Sequence, residues 1–245
     1  MKKELRQQIK QDEFATGLDQ ALGWVSRHRD ELRIATGVGV VLVAAFGALA
    51  YFQSQRAREA ERAFVDAMAA FEAPVAAELA PGSERPGGQV FATAEDKYKT
   101  AAAAFEGVER RYGSLDIAAR AKYYAALCRI QLGQYGEAEK VLREVQGRGG
   151  RGLLPDLARL GLGELFQRAG ETDKAVEAWR AVASDPDTTL PRDYALWSLA
   201  GTLEDAGRFA AARAAYRELL AEYPASVYAA EARSRAEYLA TAEQG

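Results

Sequence analysis

The sequence predicts an all-α protein with a single N-terminal transmembrane helix, followed by a solenoid of helical hairpins and a C-terminal capping helix. Two observations carry this prediction: an uncharged apolar run over residues 34–52, and a set of residues that recurs every 37 positions. The composition agrees, since 49% of the 245 residues are apolar and only 7 are Pro. Such a chain can bury a continuous core and form long helices.

The apolar run has the length of a membrane span. Its 19 residues, at about 1.5 Å per residue in a helix, cover about 28 Å, close to the roughly 30 Å hydrocarbon core of a bilayer. A cleaved signal peptide is the alternative, because Ala48, Leu49 and Ala50 resemble a small-x-small cleavage site. The 33 residues before the run are too many for a normal n-region, so we predict an uncleaved transmembrane helix over residues 34–54.

Basic residues predict the orientation of this helix. Seven precede the run, namely Lys2, Lys3, Arg6, Lys10, Arg27, Arg29 and Arg33, and three follow it closely, namely Arg56, Arg58 and Arg62. The excess places the N-terminus in the cytoplasm and the C-terminal domain across the membrane. Within the tail of residues 1–33, Phe14, Leu18, Leu22 and Val25 recur at helical spacing. They predict a short amphipathic helix at the membrane surface or on a partner, or else a lead-in to the span with Trp24 as interface anchor.

The remaining chain divides at a loop. Residues 55–95 are predicted to be a helical connector broken by "PGSERPGG", residues 81–88. Residues 96–245 are predicted to form the solenoid, with units near 116–152, 153–189 and 190–224 and a cap over 225–242. Pro224 is expected to open the capping helix and Ser226 to cap it.

The repeat gives the physical reason for a solenoid. Gly133, Gly170 and Gly207 lie 37 residues apart, and each is followed five residues later by Ala and nine residues later by a large side chain. The large residues are Leu142, Trp179 and Tyr216. Gly ends one helix and allows a tight turn, while the small Ala lets the next helix approach. A single hairpin cannot bury its apolar face, so such units stack.

These motifs resemble the tetratricopeptide repeat family. The resemblance rests on the Gly-x-aromatic-x-x-Ala turn, with Tyr135 and Phe209 as aromatic residues, and on a small residue seven positions before each Gly. The second unit has Thr172 at the aromatic position, and the 37-residue spacing between units exceeds the family's usual 34 residues. The whole layout resembles the YfgM-like inner-membrane proteins. That resemblance implies a periplasmic repeat domain that assists exported proteins beside the SecYEG translocon, with periplasmic chaperones nearby, and implies no catalytic residues.

The sequence contains few residues that could form a catalytic, nucleotide-binding or metal site. One Cys (Cys128) and one His (His28), about a hundred positions apart, cannot build a His/Cys zinc site, and Cys128 is predicted to be a buried hydrophobe. "GRGGRG", residues 147–152, lacks the spacing of a nucleotide-binding loop. A net charge of −3 does not favour nucleic acid. We expect no enzyme, cofactor or metal.

The resemblance implies a partner-binding face on the first helix of each unit. The residues carried over to that face are Arg120, Tyr123, Leu127, Ile130, Leu157, Leu160, Glu164, Gln167, Tyr194, Trp197 and Glu204. An apolar face of this kind suits extended protein segments, and the alternative is that these residues pack under the N-terminal helix or the cap. The expected function is a membrane-anchored scaffold assisting exported proteins at the translocon. A scaffold for outer-membrane, cell-envelope or division assembly is the second hypothesis.

Overall fold

The structure is a computed structural model that describes Trp24 and residues 29–79, 88–148 and 152–242. Its helices are α1 (Arg29–Glu72), α2 (Ala94–Tyr112), α3 (Asp116–Gln131), α4 (Tyr135–Arg148), α5 (Leu153–Arg168), α6 (Thr172–Ala183), α7 (Arg192–Asp205), α8 (Phe209–Glu222) and α9 (Ala229–Ala242), with a 3-10 turn at Ala76–Glu78. Among these residues the only β pairing is an isolated bridge between Val75 and Phe91. The all-α prediction is confirmed. The predicted helix around Phe14 and most of the 81–88 loop lie outside the described residues.

The chain divides into two compact units, Met1–Ala57 and Arg58–Gly245. Within the described residues, one helical stretch, Gly37–Glu72, is long and apolar enough to cross a membrane, with a mean hydropathy of 1.7 and no buried residue in its most apolar window. By length and composition this stretch fits the span that the sequence predicts.

The second unit contains three helical hairpins and a capping helix. The first hairpin is α3–α4, the second α5–α6 and the third α7–α8. Gly133, Gly170 and Gly207 join the two helices of each hairpin, with φ of 72°, 73° and 72°. Only Gly adopts this left-handed conformation without strain. The residue after each Gly donates its backbone N–H to a carbonyl five residues earlier, as in Gln134 to Arg129 at 2.9 Å. The predicted role of these glycines is confirmed.

The small residue of each first helix lies against the large residue of the second. A Cβ built on Gly163 would lie 2.8 Å from the indole of Trp179, which is closer than any real contact. Ala126 and Ala200 hold the same position in the other hairpins, and both are fully buried. Together with Leu142 and Tyr216, these residues belong to one core that runs from the first hairpin to α9.

A second core joins the last part of α1 to α2 and α3. Phe64 and Phe71 of α1 pack against Phe105 of α2 and Tyr124 of α3, with ring centroids 5.3–6.2 Å apart. Aromatic pairs at such distances are favourable beyond the area that they bury. Residues 58–72, which sequence analysis treats as part of a connector, therefore belong to the packed domain.

An acid–hydroxyl pair fastens the loop after the second hairpin. The Asp156 carboxylate, in the first turn of α5, accepts hydrogen bonds from the backbone N–H and the hydroxyl of Thr189, both at 3.0 Å. Arg159 also donates to Asp156, and to Asp185 at 2.8 Å. Asp156 is 2% exposed, and its hydrogen bonds satisfy a charge that would otherwise be costly to bury.

The same pair recurs after the third hairpin. Asp193 accepts a hydrogen bond of 2.7 Å from the hydroxyl of Ser226, and both residues lie 37 positions after Asp156 and Thr189. The Ser226 hydroxyl also accepts the Tyr228 N–H at 3.2 Å. Residues 223–228 are thereby folded into turns, and α9 begins at Ala229. The expectation that Pro224 opens this helix is wrong, because Ser226 bonds to the third hairpin and to the turn before the helix begins.

Candidate partner-binding surface

Two of the residues predicted for partner binding are buried. Tyr123 is 7% exposed and Ile130 is 1% exposed, and both belong to the core of the hairpins. The Tyr123 ring lies edge-on to Tyr124 at 5.3 Å, and burial raises the pKa of its hydroxyl. The expectation that these two side chains line an open face is corrected, because the adjoining helices cover them.

Arg120 lies against α1 instead of facing solvent alone. Its guanidinium is 4.5 Å from the centroid of the Phe64 ring and 3.9 Å from the Glu61 carboxylate. A cation over an aromatic face is attracted by the ring quadrupole. Arg120 is therefore engaged with the N-terminal helix at the surface, and its side chain remains half exposed.

The middle of the predicted face is half-buried. Leu127 and Leu160 are partly exposed and pack against the hairpin core. Glu164 accepts hydrogen bonds from the amide of Gln131 at 3.2 Å and from Arg168 at 3.0 Å. Because Glu164 already has these two partners, it offers little uncompensated charge to a ligand.

The third hairpin and the turn before α9 form an aromatic group. Trp197 stacks on Tyr228, with ring centroids 5.4 Å apart and planes inclined by 14°. Tyr194 lies 6.1 Å from Tyr228 and meets Trp179 edge-on at 6.0 Å. Sequence analysis left open that these side chains pack near the capping helix, and Tyr194 and Trp197 do so through Tyr228. Tyr194, Trp197 and Tyr228 nevertheless all remain partly exposed.

We define the first-helix surface as Leu127, Leu160, Tyr194, Trp197 and Tyr228. Its residues come from the first helices of three successive hairpins and from the turn before α9. Large, half-exposed apolar and aromatic side chains provide contact area at little cost in side-chain entropy. This arrangement can bind protein segments through apolar contact.

The remaining predicted positions differ in their exposure and contacts. Leu157 is half-buried against the core and Gln167 is exposed. Glu204 accepts hydrogen bonds from the Tyr216 hydroxyl at 2.9 Å and from Arg235 at 3.2 Å. The acids of the predicted face are therefore engaged within the chain.

Sequence reasoning missed Tyr228. Its ring completes the aromatic group only because the turn at residues 223–228 directs the chain back over α7. The turn could have been predicted from two further pairs of residues that lie 37 positions apart in the sequence, Asp156 with Asp193 and Thr189 with Ser226.

The structure also places the residues considered for chemistry. Cys128 is buried, as predicted, and burial raises the pKa of its thiol to about 12. Within the part of the chain that the structure describes, no group of three or more His, Cys, Asp and Glu side chains could hold a metal ion.

Comparison with known proteins identifies the repeats. A tetratricopeptide repeat family model matches residues 88–152, 160–227 and 198–241, which together exceed half of the chain. None of the curated proteins compared with the chain matches it.

Proposed function

Because the chain belongs to the tetratricopeptide repeat family, we propose that it is a membrane-anchored scaffold that binds protein partners through the first-helix surface. Tetratricopeptide repeats generally mediate protein–protein interactions, and proteins built from them are generally not enzymes. The observation that carries the proposal is the partly exposed aromatic group of Tyr194, Trp197 and Tyr228 on such a repeat array.

The apolar helix supports a location at the bacterial inner membrane. The basic residues before residues 34–52 favour a cytoplasmic N-terminus, which would put the repeats in the periplasm. A protein held at a membrane meets other membrane proteins at a raised effective concentration. The anchor would therefore favour partners in or beside the same membrane.

The layout resembles YfgM-like proteins, and this resemblance suggests the partners. We propose that the chain assists newly exported proteins at the SecYEG translocon, together with periplasmic chaperones. Exported chains leave the translocon extended, with apolar side chains uncovered. A surface of Leu160, Tyr194 and Trp197 offers such segments apolar contacts without requiring one sequence.

Site-specific photo-crosslinking in the intact membrane tests this function. A photoreactive residue is placed at Leu160 or Trp197, with buried Leu142 and exposed Lys140 of α4 as control positions. We expect crosslinks to translocon subunits or exported chains from the first two positions and not from the controls. Crosslinks only within the chain would contradict the proposal.

The same experiment distinguishes the translocon hypothesis from the second hypothesis, a scaffold for cell-envelope assembly. Crosslinks from Leu160 and Trp197 to outer-membrane assembly or division proteins, and not to translocon subunits, would support a scaffold for cell-envelope assembly instead of a translocon partner. Equal labelling from Lys140 would mean that the first-helix surface is not selective.

A further inference from the structure

A cavity of about 190 Å³ lies among α4, α5 and α6, where the second hairpin meets the first. Arg143, Arg159, Phe166, Lys174 and Ala181 are among its lining residues. Pockets for drug-sized molecules have volumes of roughly 300–1,000 Å³. This cavity therefore suits one side chain or a small group, and is too small for a nucleotide or an organic cofactor.

The internal repeat shows what this cavity lacks. Glu144, Ala181 and Glu218 occupy the same position in the three successive hairpins, 37 residues apart. Glu144 pairs with Lys122 inside the first hairpin. Glu218 accepts a hydrogen bond of 2.8 Å from Arg180, across the junction of the second and third hairpins. In the second hairpin, Ala181 provides no carboxylate.

Both cations that would serve this carboxylate are nevertheless present. Arg159 occupies the repeat position of Lys122, and Arg143 occupies that of Arg180. Arg143 and Arg159 both line the cavity beside Ala181. Both cationic partners are therefore present, Arg143 from the first hairpin and Arg159 from the second, whereas the repeat's carboxylate is absent at Ala181.

Phe166 brings a third cation to the same place. The Arg143 guanidinium lies 5.9 Å from the centroid of the Phe166 ring, and the Lys174 ammonium lies 5.2 Å from it. Each cation is attracted to the ring, but two like charges this close to one ring repel each other. Glu139 and Glu171, which pair with Arg143 and Lys174, relieve part of that repulsion, and a further anion between the two cations would relieve more.

Carboxylates within the chain already engage part of each cation. The partners are Glu139 for Arg143, Asp156 and Asp185 for Arg159, and Glu171 for Lys174. Glu177 also lines the cavity. A guanidinium has five N–H donors and an ammonium has three, so donors remain for a further acceptor. The existing partners compete with that acceptor, and we expect single-residue binding to be weak.

We propose that this cavity receives the carboxylate of an acidic side chain from a protein partner, as Glu144 and Glu218 fill the equivalent position from within the chain. The occupant is assigned by the repeat, which uses a Glu carboxylate at this position in both neighbouring hairpins. A charged hydrogen bond to Arg is also stronger and more directional than a neutral one. The cavity is separate from the first-helix surface, so its test does not depend on the proposed function.

Fluorine NMR on the full-length, detergent-solubilised chain tests this site. The probe is 4-fluorophenylalanine placed at Phe166, and the ligands are acetyl-Ala-Ala-Glu-Ala-Ala-amide and its Gln analogue. We expect a saturable change in the fluorine resonance, with the Glu peptide bound at least about tenfold more tightly. No response, or equal responses to the two peptides, would overturn the proposal.

The repeat supplies matched control variants. Arg143→Gln should weaken binding of the Glu peptide about tenfold, whereas Arg180→Gln, the same change one hairpin later, should leave it unchanged. Ala181→Glu should fill the cavity from within and abolish the response, with the helical circular dichroism retained. Binding that is insensitive to Arg143→Gln would contradict the site. Tighter binding of acetyl-Ala-Ala-Ala-Ala with a free C-terminus would contradict the side-chain assignment.

Discussion

The second and third hairpins fill the same repeat positions with different side chains. Gly163 lies against the indole of Trp179 in the second hairpin, whereas Ala200 and Tyr216 hold these positions in the third. Trp179 Nε1 is buried without a hydrogen-bond partner among the described residues, while the Tyr216 hydroxyl donates to Glu204 at 2.9 Å. The second hairpin therefore packs a larger ring against a smaller residue, and the third adds a hydrogen bond.

The Asp residues that hold the loops after these two hairpins differ in how deeply they are buried. Asp156 is buried and accepts hydrogen bonds from Thr189 and Arg159. Asp193 is half-buried, and its contact with the next loop is one hydrogen bond from Ser226. A buried carboxylate that is removed leaves buried donors unsatisfied, whereas water can satisfy donors nearer the surface. The comparison therefore predicts unequal costs for the same substitution.

The largest expected effect is on the buried acid. Asp156→Ala should lower the free energy of unfolding by about 3 kcal/mol, because Arg159 and the Thr189 N–H lose their acceptor inside the protein. Asp193→Ala should cost about 1 kcal/mol. Urea denaturation of the solubilised chain, followed by circular dichroism, measures both values. Equal losses would contradict the role assigned to burial.

The next effect concerns the small residue beneath the indole. Gly163→Ala should destabilise the chain by about 2 kcal/mol, because the new methyl group would lie 2.8 Å from Trp179. Gly201→Ala in α7 is the matched control, since no heavy atom of the described residues beyond its own stretch of helix lies within 4 Å of its added Cβ. That change should be neutral or stabilising by up to about 1 kcal/mol, since Ala favours helix more than Gly. A stabilising Gly163→Ala would show that the indole moves freely.

The third effect is a pH dependence at Asp156. Burial alone would raise the pKa of its carboxyl group, but the hydrogen bonds from Thr189 and the charge of Arg159 hold the pKa below its usual value. The unfolded chain therefore binds more protons at this site than the folded chain. The stabilisation is complete above the ordinary Asp pKa of about 3.9, and is lost as the pH falls further. Asp156→Asn should flatten the decline in unfolding free energy below about pH 4, and an unchanged slope would contradict this assignment.

The smallest expected effect comes from removing the hydrogen bond between Tyr216 and Glu204, since Trp179 of the second hairpin has no such bond among the described residues. Tyr216→Phe should cost about 1 kcal/mol, because the Glu204 carboxylate loses one donor. A double-mutant cycle with Glu204→Gln isolates the pair, and its coupling energy should be of the same size. Additive costs would mean that the hydroxyl contributes nothing through Glu204.

The sequence predicted the repeated parts of the fold better than its ends. Gly133, Gly170 and Gly207 mark the three hairpin turns because a left-handed turn tolerates few other residues. No such marker exists before residue 96, so the packing of Phe64 and Phe71 onto α3 could not be read from the repeat. Tyr123 was predicted to be exposed because the family positions do not show that the hairpin core covers its side chain.

The candidate site was predicted less well than the fold. Family positions identify which side of a helix faces outward in an ordinary array, and they placed Leu160, Tyr194 and Trp197 where each is at least partly exposed. They carry no information on a turn such as residues 223–228, where side-chain hydrogen bonds set the chain direction. The cavity beside Ala181 was equally hidden, because a missing carboxylate is visible only once the neighbouring hairpins show its partners.

The acid–hydroxyl pair ties the loops after the second and third hairpins to the hairpin that each of them leaves. Asp156 and Thr189 both lie within residues 153–189, so one continuous segment carries the hairpin and the fastening of its own exit loop. Duplicating that segment in the gene would copy the fastening together with the helices. The array can therefore grow by whole hairpins, in evolution or by engineering, without a new junction having to be invented each time.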